Sequence, residues 1–561
     1  MRFTFKDFKP KIITCLQEGY SREYFLNDVA AGISVGIIAL PLALAFAIAS
    51  GVTPERGLFT TIIAGFLISL LGGSRVQIGG PTGAFVIIVY AVVQKYGYEG
   101  LSLATLVAGI MMILMGVARL GILLKYIPYP VTTGFTTGIA FVIVFSQIKD
   151  FFGLKAEKLP PAFIEKCQLY CEIAHTWNFW ALLIAFATLV LIFTLRRYRP
   201  KWPVAIIAII VTTAATQFFH LPVETIESKF GEIPRVLPVP SLPHFSYDLL
   251  KEVFPDAITI AFLGAIESLL SAIVADGMIG SKHRSNGELI AQGVANIGSV
   301  LFGGIPATGA IARTSANIRM GAKTPVAGII HAITLFLLML FFANLAGKIP
   351  LAALAGVLIF VAWNMSEIPH FIEILRGHKG DALVLLITFL LTVLIDLTAA
   401  VQIGVILSAA IFLKRMTDQT QVRICQNLIH ENNNEAQEMN GSELIFRKDI
   451  PSDIRVFEIN GPFFYSIADL LDEALSRLVE KPRVFILRIH KTPFIDSTGL
   501  RAIKQFSVKC RKNGIVFAIS DVDAKYRNIF IDSNVETSVG KENIFKNFDH
   551  ALHSLRLEKT A

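Results

Sequence analysis

GGPTGA at Gly79–Ala84 and GGIPATGA at Gly303–Ala310 are two writings of one phrase, each set inside an apolar stretch. Glycine and proline in such a place stop one backbone run and let a half-helix start within the bilayer. The copies stand 226 residues apart (308 less 82), and the same offset carries Glu267 onto Pro41 in the first apolar segment. Spacing recurs as well as wording. Irregular backbone is tolerated in lipid only where protein or a wet cavity satisfies its polar groups, so two related breaks predict two half-helices meeting at one pocket. Such a pocket is the mark of a transporter.

Working outward, the chain has 561 residues, 53% hydrophobic and 17% charged, far too apolar for a soluble enzyme of this length. Membrane-length apolar runs fill residues 28–416, with a polar segment 1–27 before them, a linker expected at 417–442 and a polar domain at 443–561. The net charge of +8 sits largely in short loops such as RRYRPKW (Arg196–Trp202) and SKHR (Ser281–Arg284). That pattern fits positive-inside topology and not nucleic-acid binding. Residues 1–27 are polar and basic, so no cleavable signal is expected and both termini are placed in the cytoplasm, across a bacterial inner membrane. Of five cysteines only Cys167 and Cys171 are close together, in an expected external loop; a disulfide and unpaired thiols both remain open.

Apolar runs of about 17–25 residues give about fourteen crossings. The broken pair falls near 76–93 and 303–320, with neighbours near 28–50, 101–119, 254–276 and 286–302. A cytoplasmic start puts Arg75, Arg119 with Lys125, Lys282 with Arg284, and Arg319 with Lys323 on the inner side. Seven spans per half would invert the second half relative to the first. After Arg415, strand signals in ELIF, IRVFEI, RVFILRI and IVFAIS alternate with helices near Ser466–Leu478, from Ser497, and around Asn547–Leu557. They predict a small cytoplasmic α/β domain.

The sequence resembles the SulP family of anion transporters with a carboxy-terminal STAS domain. The resemblance rests on Asp28–Val52, GLFT with GGSR, GGPTGAF, YIPYPVTTGFTTG, the run Asn286–Pro325, and PFIDSTGL in the last domain. It implies a polytopic all-α domain of two inverted seven-span repeats, divided into core and gate, which moves like an elevator and forms a homodimer. The sequence departs from the family at Leu42, where many members have Gln after the first-span proline, and at Arg56 and Phe59, where Tyr is usual. Ile311 and Glu267 stand where the sodium-coupled bicarbonate branch has a hydroxyl residue and an Asp, which argues for protons as coupling ion. The wording, including VAWNMSE at Val361–Glu367, is most similar to the bacterial dicarboxylate branch.

Half-helix amino termini expose N–H groups and partial positive charge, so Thr82, Gly83, Ala84 and Phe85 on one side and Gly309, Ala310 and Ala312 on the other are the expected anion cradle. Pro41 and Leu42 are expected to line it. Arg313, placed about 10 Å along its half-helix by 1.5 Å per residue, needs an anionic partner. Two partners are open, the substrate and Glu267, and a Glu267 that releases Arg313 on protonation links proton to anion. Asp276 and Asp396 lie toward span ends and read as capping or hydrated carboxylates, while Lys149 and Asp150 read as interface anchors. In DSTGL, Ser497 occupies the position where related STAS regulators are phosphorylated, although a helix cap by Asp496 or Ser497 explains the same residues.

The expected function is gradient-driven uptake of a small anion, C4-dicarboxylates first, coupled to protons. No P-loop, catalytic triad or metal cluster is legible, so neither an enzyme nor a cofactor is expected. The alternatives are bicarbonate or sulfate cargo, exchange, an uncoupled channel, or a scaffold whose STAS domain recruits a cytoplasmic protein. Beyond the anion and protons, the expected partners are membrane lipid and a second copy of the chain.

Overall fold

Apolar runs become helices here wherever a cap or a proline fixes their start. Ser21 accepts the Tyr24 N–H to open α2 (Arg22–Ala49), Pro54 stands first in α3 (Pro54–Leu71), and Asn178 accepts the N–H groups of Trp180 and Ala181 to open α7 (Phe179–Tyr198). The structure is a computed structural model that describes residues 8–121, 128–156, 160, 162–199, 202–395, 397–419, 421–424, 450–451, 453–464, 471, 473, 475 and 481–557. Lys125, Lys201, Asp396, the ELIF strand and most of the helix expected at Ser466–Leu478 lie outside them. The chain divides into two compact units, residues 1–408 and 409–561.

Nine helices among the described residues are long and apolar enough to cross a membrane, and Val204–Phe218 (α8) is a shorter apolar one. A short helix α1 (Lys11–Gln17) precedes them. The others that matter here are α4 (Gly83–Val117), α5 (Tyr129–Phe152), α6 (Phe163–Ile173), α9 (Ile226–Phe230), α10 (Tyr247–Ile279), α11 (Ser285–Leu301), α12 (Ile311–Arg319), α13 (Val326–Gly347), α14 (Leu351–Met365), α15 (Ile368–Arg376), α16 (Lys379–Leu394) and α17 (Leu397–Gln419). The two expected spans, 76–93 and 101–119, are the two arms of α4, which are separated at Gly97, where φ of 69° breaks the helix in a conformation glycine reaches without Cβ strain. The half-helices start at Gly83 and Ile311, within the expected termini Thr82–Phe85 and Gly309–Ala312 but past the expected span starts at 76 and 303, because the chain before them is held extended.

Packing in this unit repeats with the halves exchanged. Helix α2 lies on α13 as α10 lies on α4, and α3 meets α13 as α11 meets α4. A second group follows the same rule, α5 on α16 matching α14 on α7. This is the contact pattern of two inverted repeats. Where α4 crosses α11, Gly109 and Gly293 face each other so closely that a Cβ on either would meet the other's carbonyl oxygen, at 2.8 and 2.4 Å. Small residues permit that approach in a helical bundle.

The second unit holds β3 (Gln421–Ile424), β4 (Ile454–Asn460), β5 (Val484–Arg488) and β6 (Val516–Ser520) in the order β3-β4-β5-β6, with β3 antiparallel and the other three parallel. β3 corrects the linker expected at 417–442, whose QVRI pairs with β4 from Asn460 to Phe457. Helices α18 (Ser497–Lys512), α19 (Ala524–Asp532), α20 (Val535–Val539) and α21 (Phe548–Leu557) complete it. Phe457 and Phe485 stack at 4.3 Å in its core beneath Phe506. β4 and β5 are nearly all buried, as parallel strands covered on both faces must be.

Candidate functional site

The two glycine phrases meet. Gly79–Gly80 (β1) and Thr308–Gly309 (β2) form a two-residue antiparallel bridge, with Gly79 opposite Gly309 and Gly80 opposite Thr308, and the Ala310 N–H donates to the Ile78 carbonyl (2.8 Å). Short as it is, the bridge satisfies backbone groups that no water could reach. α4 begins three residues past one strand and α12 two residues past the other, and neither has a side-chain cap. Their first-turn N–H groups and the positive ends of their dipoles therefore converge around one crossing point.

Helix α10 clamps the crossing with adjacent residues. Thr82 Oγ1 donates to Glu267 Oε2 (2.8 Å) on one side. On the other, the Gly309 N–H donates to Ser268 Oγ (3.2 Å), Ser268 Oγ and Thr308 Oγ1 bond at 2.6 Å, and Thr308 Oγ1 donates to the Gly264 carbonyl (3.0 Å). Gln77 Nε2 donates to the Ser268 carbonyl (3.1 Å), and the Ile78 N–H donates to Thr314 Oγ1 (3.0 Å). Thr60, Ser299 and Asn296 fix the extended stretch before β2 through Ile305 and Ala307.

Thr82, Gly83, Gly309 and Ala310 are thus brought to one place, with Glu267 beside them at 8% exposure. Ala84 and Phe85 are buried, and Phe85 packs against Gly264. Ala312 is exposed. Pro41 is buried inside an unbroken α2, and Leu42 belongs to the apolar cluster that contains Phe85 and Ile143. A Cβ on Gly83 would stand 2.9 Å from Ile143 Cδ1 and 3.1 Å from Met365 Sδ. The start of α4 therefore touches α5 and α14, which belong to the second helix group. Met365 lies within VAWNMSE.

Arg313 is placed differently from the expectation. Because α12 starts at Ile311, it lies in the first turn, about 3 Å along the axis and not 10 Å. Its guanidinium turns inward at 3% exposure, donates through Nη2 to the Pro81 carbonyl, and leaves Nη1 against Gly80 without a hydrogen-bond partner among the described residues. No ion pair joins it to Glu267 among the described residues; Glu267 is held by Thr82 instead, one residue past the carbonyl that Arg313 holds. His331, fully buried on α13 with both ring nitrogens unpartnered among the described residues, approaches the same crossing from Gly65.

The remaining predicted residues lie elsewhere. Asp276 accepts from Ser281 Oγ and from the N–H and Nδ1 of His283, closing the turn after α10. Lys149 donates to the Ala156 carbonyl, and Asp150 pairs with Lys229 at 3.7 Å. Cys167 and Cys171 are free on α6. In the second unit, Asp496 caps α18 by accepting the Gly499 N–H (2.7 Å), with Ser497 exposed as the first helical residue. Sequence reasoning passed over Gln77, Ser268, Asn296 and Thr314. Their signal was a polar side chain inside an apolar span.

The sulfate permease family pattern matches residues 25–388, and a STAS domain matches residues 446–551. The chain belongs to the SulP family. The putative sulfate transporter YvdB of Bacillus subtilis (strain 168) is 40% identical to this SulP chain, over 95% of it and 98% of the relative. Among solved structures, the transmembrane domain of a cyanobacterium bicarbonate transporter BicA is 32% identical with TM-score 0.62, covering 68% of this chain and 98% of that one. The inward-facing murine Slc26a9 anion transporter shares the SulP fold at TM-score 0.84 over 99% of this chain and 96% of that one, at 18% identity. As a SulP protein the chain is a multi-pass anion transporter with a STAS domain, and not an enzyme.

Proposed function

We propose that the anion binds between the amino termini of α4 and α12, and that one observation carries this reading: the β1–β2 bridge gathers two uncapped helix starts and Glu267 at a border between helix groups. Partial positive charge on two helix ends attracts an anion, and glycine and alanine let it approach the backbone. Arg313 acts as a positioning residue, its charge set one peptide behind the start of α4.

Glu267 serves as the coupling group. Ionised, it sets a negative charge on Thr82 at the mouth of the cradle; protonated, it removes that charge. Proton and anion then favour each other's binding, which by linkage is symport. The helices that carry the cradle slide past α5 and α14, so that Gly83 moves along Ile143 and Met365 in an elevator-like step. The protein works as a homodimer in a bacterial inner membrane, with both termini and the STAS unit cytoplasmic.

The cargo is a small oxyanion. Sulfate and bicarbonate come first, supported by the 40% identity to the putative sulfate transporter YvdB and the 32% identity to the BicA transmembrane domain. C4-dicarboxylates come second, supported by the wording VAWNMSE, whose Met365 abuts the cradle. Uptake of labelled bicarbonate, sulfate, succinate and fumarate into proteoliposomes tests the reading, with and without an inward proton gradient. Wild-type uptake of one of them is expected to rise with the gradient, and Glu267→Gln is expected to transport without that response. A variant that follows the gradient as wild type does ends the coupling role, and flux that ignores the gradient in both marks an uncoupled path.

A further inference from the structure

At the end of the first unit opposite the start of α12, four cations line one cavity of about 640 Å³. Lys11 comes from α1, Arg75 from the GGSR turn, Lys282 from the turn after α10, and Lys323 from the turn after α12. Tyr24, Met278, Ile279, Ile318 and Ala322 supply apolar wall, and among the described residues no acidic one lines it. The volume falls within the ~300–1,000 Å³ of small-ligand sites. Ile318 lies about 10 Å along α12 from Ile311, and no wall belongs to α5 or α14, so this cavity is separate from the anion cradle.

The positive charge there is only partly answered from within. Arg75 pairs with Glu18, and Lys11 Nζ donates to the Lys282 carbonyl (3.0 Å), but the exposed Lys282 and Lys323 ammonium groups have no side-chain partner among the described residues. Arg284 stands behind, held by the Lys9 carbonyl and Thr14 Oγ1. Burial and the charges of Arg284 and Arg75 hold the Lys11 ammonium below its usual range. Charges crowded this way favour a dianionic or monoanionic guest that all of them can face.

The rim says which guest. Ile13 and Leu16 on α1, and Tyr24, Phe25 and Leu26 at the start of α2, are exposed apolar side chains next to the basic cavity. A tyrosine with apolar neighbours at a helix start is the composition of a membrane interface, and basic pockets between helices at that level take lipid head groups. We infer that this cavity binds the phosphate of an anionic phospholipid, with Lys282 and Lys323 as its direct contacts and the acyl chains leaving over the apolar rim.

Thermal melting of the purified full-length protein tests this, using short-chain phosphatidylglycerol, short-chain phosphatidylcholine and inorganic phosphate as separate probes. The expected result is a rise with phosphatidylglycerol alone, lost in Lys282→Gln/Lys323→Gln while the probe-free melting temperature stays at the wild-type value. An equal rise with inorganic phosphate overturns the lipid assignment in favour of a soluble anion. No rise in wild type, or a rise kept by the variant, overturns the site. If the double variant does not fold, Lys323→Gln alone is expected to show a smaller rise than wild type. Uptake is not the readout, so failure here leaves the transport reading standing.

Discussion

Gly309 shows how little room the crossing leaves. A Cβ there would lie 1.5 Å from Gln77 Nε2, a distance that forces the amide out of its bond to the Ser268 carbonyl. Overpacking of this kind costs about 1–3 kcal/mol. Gly309→Ala is therefore expected to lower the melting temperature of the purified protein, and Gln77→Ala in the same chain to recover part of the loss by clearing the space. A G309A protein as stable as wild type shows that the crossing is looser than drawn. The TGA phrase marked this glycine in the sequence, but Gln77 gave no sign of being its neighbour, because their contact runs between segments more than two hundred residues apart.

At the scale of elements, α12 can start in the middle of the unit only because the chain before it is held extended by side chains. Asn296 on α11 holds both backbone groups of Ala307, its Nδ2 donating to the carbonyl (2.9 Å) and its Oδ1 accepting the N–H (2.8 Å). A buried backbone group left unpaired costs about 1–3 kcal/mol. Asn296→Ala strands two of them, so its melting temperature is expected to fall further than that of Thr60→Val. Equal losses in the two variants would place the hold elsewhere. The second unit offers a milder case, since the Asp496 cap on α18 was legible in DSTGL and the structure places it where a capping carboxylate belongs.

For the molecule as a whole, transport by the proposed motion depends on two helix groups meeting at Gly83. A leucine there runs into Ile143 and Met365, in the other group, so Gly83→Leu is expected to stop uptake in proteoliposomes. Met365→Ala in the same chain is expected to restore part of it. Unchanged uptake in G83L means that this contact does not lie on the path of the moving parts.

The fold was largely written along the chain. Apolar length announced the membrane unit, alternating strands and helices announced a small α/β unit, and the repeated glycine phrase announced where two half-helices begin, since each of these is a local property of composition and spacing. Which polar atoms answer which was decided only in three dimensions. Glu267 and Arg313 are natural partners on paper, yet one is held by the Thr82 hydroxyl and the other by the Pro81 carbonyl. In a nearly dry interior each buried group takes the partner that packing brings within reach, and packing is set by the whole bundle.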